Sequence, residues 1–162
     1  MKKYSKEDQK LMATWALDCA ERVLYLFEKE SANDKRPRTA INVGRKWVKT
    51  DEFRMNTIRK ASLDAHSSAR DVNDTAARYA AHAAGQAVAT AHVTQHAYGG
   101  AYYALKAIAE ANPNNQEYAV INELEFESSL LPEHLRSDVM SRLIVTVQNG
   151  EVKVKLAKGP DF

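Results

Sequence analysis

Between Thr75 and Ala111 the chain reads T-A-A-R-Y-A-A-H-A-A-G-Q-A-V-A-T-A-H-V-T-Q-H-A-Y-G-G-A-Y-Y-A-L-K-A-I-A-E-A, and nine of the sixteen residues from Ala76 to Ala91 are alanine. Alanine is the strongest helix former and adds almost no girth. A long thin helix is therefore expected here, placed where neighbouring helices approach closely, at the centre of a bundle. Ala81, Gly85, Val88, His92, His96, Gly99 and Tyr103 step by three and four, the spacing of one helix face. That reading puts His92 and His96 one turn apart on an inward stripe of small residues. The paired Gly99-Gly100 marks the expected site of a break or kink.

The flanking sequence is helical in the same sense. Ser5, with Asp8 three residues on, can cap a first helix over about 6–30, whose apolar stripe includes Met12, Ala16, Cys19 and Val23. A second helix is expected over about 35–48, with Asp34 as cap, Pro37 in its first turn, and Ala40, Val43, Gly44 and Trp47 inward. A third follows over about 51–72, capped by Thr50 or Asp51, burying Met55, Ile58, Ser62, Ala65, Ala69 and Val72. Asn112-Pro113-Asn114-Asn115 is a stop; a fifth helix covers about 116–131, and Pro132 ends it or opens a sixth through Leu143. The tail differs in kind. I-V-T-V-Q-N-G-E-V-K-V-K-L alternates with period two around Asn149-Gly150, the signature of a tight hairpin. A lone hairpin is marginal in water, so it must pack on the bundle or pair with a second chain. The expectation is an all-α bundle of five or six helices over 1–143, with a β-hairpin tail over 144–162.

Charge and composition narrow the function classes. Residues 1–70 hold sixteen Lys/Arg against ten Asp/Glu, and 71–143 hold four against nine. The halves can complement each other within the bundle. No dense basic cluster interleaved with aromatics marks a nucleic-acid surface. One cysteine, Cys19, excludes an internal disulfide and fits a reducing compartment. The charged N-terminus does not read as a signal peptide, and no apolar run is long enough to span a bilayer.

Three groupings could carry chemistry. His92 and His96 have a spacing that lets two imidazoles reach one divalent metal ion, with His66, His82 or Asp64 as third ligand. Hydrogen-bonded core histidines explain the same spacing, and H-V-T-Q-H lacks the glutamate a zinc protease needs. No cofactor is otherwise called for. Arg59 and His66, six residues intervening, match the loose R-x4–6-H spacing of helical ribonucleases of the HEPN type. Lys35, Arg36 and Arg38 crowd a helix N-terminus that is already positive. Either carboxylates of the chain, such as Asp18, Glu21, Glu28 and Asp34, or an acidic partner must face them. Cys19, Trp15 and Trp47 read as core.

Several ordered motifs resemble one family. They are A-x-D-C-A-E-R-V-L from Ala16, D-x-R-P-R-x-A-I from Asp34, R-x-W at Arg45 to Trp47, A-H-x-x-A-R at Ala65 to Arg70, and A-A-x-Q-A-V-A-T-A-H-V-x-x-H-A from Ala83. Y-A-L-K-A at Tyr103 and L-P-E-H-L-R at Leu131 extend the match. Together they are similar to the immunity-protein-five-like domain, a group of bacterial predicted immunity proteins of polymorphic toxin systems. The resemblance implies an all-helical cytoplasmic protein whose partner is a toxin protein. It implies neutralisation of that toxin and carries a role rather than an active site; the leading expectation is steric occlusion without catalysis of its own. Arg36, Arg38, Arg45, Trp47, His66, Arg70, His92 and His96 fall at motif positions and would form the polar core or the recognition face. A homodimer through the hairpin edge or the helix faces is compatible with this reading.

Overall fold

The computed structural model describes residues 4–159. Seven α-helices and one two-stranded sheet make up these residues: α1 Lys6–Glu30, α2 Arg36–Thr50, α3 Met55–Ser68, α4 Thr75–Ala89, α5 His96–Ala111, α6 Gln116–Leu130, α7 Glu133–Met140, β1 Leu143–Gln148 and β2 Glu151–Leu156. A 3-10 turn, Ala69–Asp71, continues α3. The protein is a predominantly helical bundle with a C-terminal antiparallel hairpin. None of the described helices is long and apolar enough to cross a membrane.

The alanine-rich segment is the axis of the bundle, as two helices rather than one. Ala76, Ala77, Ala80, Ala81, Ala83, Ala84 and Ala87 of α4 point in every direction and are all buried. A helix buried all round needs side chains that let several neighbours close in, and α4 packs on α1, α2, α3 and α5. The chain breaks at Thr90–Gln95, not at Gly99-Gly100. β-Branched Thr90, Val93 and Thr94 are poor helix formers. The Gln9 amide on α1 donates to the carbonyls of Thr90 and Ala91 at 2.8 and 3.2 Å, taking up acceptors freed as α4 ends. Gly99 and Gly100 stay helical inside α5 because neighbours crowd them. A Cβ on Gly100 would sit 3.1 Å from the Ala16 Cβ on α1, and one on Gly99 would meet the Gln86 side chain at 2.7 Å.

Around this axis the larger side chains close the core, with Trp15, Trp47, Tyr98, Phe27 and Met12 the bulkiest. The Trp15 indole N–H donates to the Glu127 carbonyl at 2.8 Å, tying α1 to α6. The capping box at Ser5 and Asp8 forms, and Asp74 caps α4 by accepting the Ala77 N–H. The expected cap of α3 does not form. α2 runs on to Thr50, and Asp51 closes it in the left-handed region at φ 62, so α3 starts at Met55 without a side-chain cap. Met55 then lies beyond the buried face of α3 and is 42% exposed, against expectation. At the other end α7 stops at Met140, because Leu143 already belongs to the hairpin. Asn149 and Gly150 both take positive φ, 53 and 78, as the two-residue primed turn requires. Leu143 pairs with Leu156 and Gln148 with Glu151. β2 packs on α5 and α6, and β1 joins the core through Leu143 and Val145.

Candidate functional site

The arginines of the D-x-R-P-R and R-x-W motifs are neutralised within the chain. Asp34, just ahead of α2, accepts both the Arg36 backbone N–H at 3.0 Å and its guanidinium at 2.6–3.1 Å; Asp71 binds the same guanidinium at 2.5 Å. The Arg36 side chain holds the Asp34 carboxyl below its ordinary range. Arg38 reaches Glu28 and Glu21 at 2.9 Å, and Arg45 reaches Asp18 at 2.9 Å and also Glu21. The crowded positive start of α2 is thus balanced by acids of α1, the loop before α2 and the 3-10 turn. Trp47 is 1% exposed, its indole N–H has no hydrogen-bond partner among the described residues, and Lys6 lies 4.7 Å from its ring centroid. Arg70 is exposed and donates to the Ser67 hydroxyl at 3.1 Å.

The histidines separate. Because α4 and α5 are distinct helices, His92 lies in the exposed turn between them and His96 opens α5; they do not share one helix face. His66 on α3 meets His82 on α4 instead, Nδ1 to Nδ1 at 2.8 Å. One ring must donate and the other accept through a lone pair, so at most one of the two rings can carry a charge. Burial, then the facing His82, pushes His66 down to about 4, and burial lowers His82 as well. The His66 ring lies over Gly85, where a Cβ would come within 2.8 Å of its Nε2. His96 Nδ1 sits 2.7 Å from the Gln86 Oε1, which accepts its proton; burial lowers this imidazole too. Among the described residues no group of three His, Cys, Asp or Glu side chains could hold a metal ion. His66, His92 and His96 belong to no such group.

Sequence reasoning passed over Gln86 altogether and gave His82 only a ligand's part. The signal was present: His82 and Gln86 are four apart on a helix that otherwise carries almost nothing polar, and Gly85 and Gly99 leave the gaps that the His66 ring and the Gln86 side chain fill. Buried Glu127 was missed as well. It is fully enclosed, and neither carboxyl oxygen has a hydrogen-bond partner among the described nitrogen and oxygen atoms. Burial and then the Glu123 carboxylate push its carboxyl well above the ordinary value, offset in part by the buried Cys19 thiol. Cys19 is core, its thiol driven up by the same burial and by Glu127. Arg22 clasps Glu123 with two bonds of 2.7 and 3.0 Å beside this cluster.

One concave surface gathers motif residues with exposed apolar ones. A pocket of about 320 Å³ opens between α3 and the α4–α5 turn, lined by Met55, Ile58, Arg59, Ser62, Leu63, Ala89, His92 and His96. Leu63 is 57% exposed at its rim. Arg59 lines this pocket while His66 points to His82 beneath it, so the arginine and histidine of the ribonuclease-like spacing are turned to different surroundings. The pocket has apolar walls, an arginine and two imidazoles at its mouth, and no assembled nucleophile–base pair.

No curated protein and no solved structure matches the chain. A family model matches residues 2–134, which take in α1 to α6 and the whole of the pocket. The chain belongs to the family described as Imm-5 like putative immunity protein.

Proposed function

We propose that this protein is the immunity partner of a bacterial toxin, acting in the cytoplasm, and that it neutralises the toxin by covering its working surface, with no catalysis of its own. Family membership over residues 2–134 is the observation that carries the reading. The pocket between α3 and the α4–α5 turn is the contact surface. Met55 and Leu63 are large apolar side chains standing out in water beside it, and Arg59 and His92 frame it. Binding energy at protein interfaces concentrates where an anchor side chain fills a dry pocket ringed by polar groups. The arginines of α2 serve the other role: their forks are taken up by the chain's own carboxylates, so they brace the surface rather than meet the toxin.

The test is co-expression with the candidate toxin encoded beside this gene. Wild-type protein restores growth, and Leu63→Arg or Met55→Glu, both outward-facing and compatible with the fold, abolish rescue. Full rescue by both variants removes this pocket from the contact. Failure of the wild-type protein to bind or rescue against any neighbouring toxin removes the role itself.

A further inference from the structure

The hairpin leaves one edge unguarded. Its register pairs Leu143 with Leu156, Val145 with Val154 and Val147 with Val152, and the Ala157 N–H donates to the Arg142 carbonyl at 2.8 Å. In an antiparallel ladder hydrogen-bonded and non-bonded pairs alternate. The bonded pairs are therefore 142–157, 144–155, 146–153 and 148–151. The N–H and C=O groups of Leu143, Val145 and Val147 point away from β2, as do those of Val152, Val154 and Leu156. The β2 side obeys this: the Val152 N–H donates to the Gln116 side chain on α6 at 3.0 Å. On the β1 side the outward N–H and C=O groups of Leu143, Val145 and Val147 have no partner among the described residues.

Edge strands are ordinarily protected by charge, proline, bulges or a covering element. β1, L-I-V-T-V-Q, has no charge and no proline and its ladder is regular; Leu143 is buried in the core and Val145 packs against it, but no helix runs along its outer edge. Ile144 is 43% and Val147 39% exposed. β2 differs: Lys153 and Lys155 stand on it, and α5 and α6 cover it.

We propose that β1 pairs antiparallel with β1 of a second copy of this chain, on a two-fold axis through Val145, giving a continuous sheet in the order β2, β1, then the partner's β1 and β2. An uncharged strand can face itself without repulsion, which is why a second copy fits here better than a partner chosen by charge. The register is self-complementary. Val145 faces the partner's Val145, and Leu143 faces the partner's Val147. These are the residues whose backbone groups point outward, so each pair exchanges two hydrogen bonds and every free group from Leu143 to Val147 is used. The half-exposed Ile144 faces the partner's Thr146. The hairpin lies outside the family-matched residues 2–134, so the dimer does not rest on the toxin-binding role.

The test is the mass of the full chain by light scattering across a concentration series, with cysteine cross-linking for register. The expected result is a monomer–dimer equilibrium without larger species. Ile144→Lys and Val147→Lys shift it to monomer while helical content and unfolding midpoint stay near wild type. Val145→Cys forms an intermolecular disulfide under mild oxidation, since facing residues in a bonded pair lie about 5.5 Å apart at Cα; Thr146→Cys, offset from its own copy, does not. Native Cys19 is buried and silent. A wild-type chain that stays monomeric throughout, open-ended assemblies, or cross-linking equally strong at Thr146→Cys overturns the proposal. So does a monomer whose edge variants lose toxin binding, which hands the edge to the toxin.

Discussion

Acidification should loosen this bundle well before its carboxylates titrate, and His66 sets the size of the effect. Folded, its imidazole titrates at about 4; released into water it returns to 6.5. The unfolded chain therefore binds a proton that the folded chain refuses anywhere between these values. Stability falls as pH drops through that window and is fully retained above it. At pH 5 the unfolded histidine gains about 30-fold in weight from protonation and the folded one scarcely any, against almost no difference at pH 7. The loss between pH 7 and 5 is about 2 kcal/mol for His66 alone, out of the roughly 5–15 kcal/mol that a domain has. His82 and His96 are lowered as well and add in the same direction. Asp8, Asp34 and Glu21 are held below their ordinary values, so their contribution is lost only below about pH 4.5 and stays out of this window. Glu127 acts with the opposite sign, which makes the absolute profile composite. The clean measurement is a comparison. Urea unfolding at pH 7 and pH 5 for wild type and His66→Gln should show the wild type losing about 2 kcal/mol more. The His66 ring proton, followed by NMR, should titrate near 4. Parallel losses in the two proteins, or titration near 6.5, would refute the neutral buried pair.

Other consequences follow from single contacts. Gly85→Ala gains roughly 1 kcal/mol of helix propensity but drives a Cβ into the His66 ring, which His82 pins from the other side. Overpacking of about 1–3 kcal/mol should win in urea unfolding, and the sign should reverse in a His66→Ala background, where the space is open. Glu127→Gln should raise stability at pH 7: the buried carboxyl, raised above its unfolded value, stabilises below about pH 4.5 and costs stability as pH rises. The gain, read as a shift in unfolding midpoint, should shrink toward pH 5; an unchanged gain would place a charged carboxylate there. Arg36→Ala removes part-exposed ion pairs and should cost less than about 1 kcal/mol with toxin binding intact, whereas loss of binding would return this arginine to the recognition face.

How much of this was legible depended on whether the information was local. The capping box at Ser5, the breaks at Asn112–Asn115 and Pro132, and the hairpin at Asn149-Gly150 are written in neighbouring residues, because caps and turns are set by side chains within a few positions of the backbone they satisfy. Alanine content alone announced a buried central helix. The break within it was misplaced for a physical reason. Two glycines weaken a free helix, yet here Ala16 and Gln86 fill the space a side chain would take, and packing outweighs propensity. The true break at Thr90–Gln95 is stabilised by Gln9, more than eighty residues away in the chain, which no local pattern announces.

The candidate site divides the same way. Sequence alone determined the helical class, the tail hairpin, the family and the polar residues of its motifs. Tertiary structure decided what those residues do. It turned His66 to His82 and His96 to Gln86, left His92 in solvent at a pocket mouth, and spent the α2 arginines on Asp34, Asp71, Glu21, Glu28 and Asp18. The reason is that a side chain's partner is chosen by which helices meet and at what rotation. Those are set by the summed packing of a small-residue core, and spacing along one helix does not contain them.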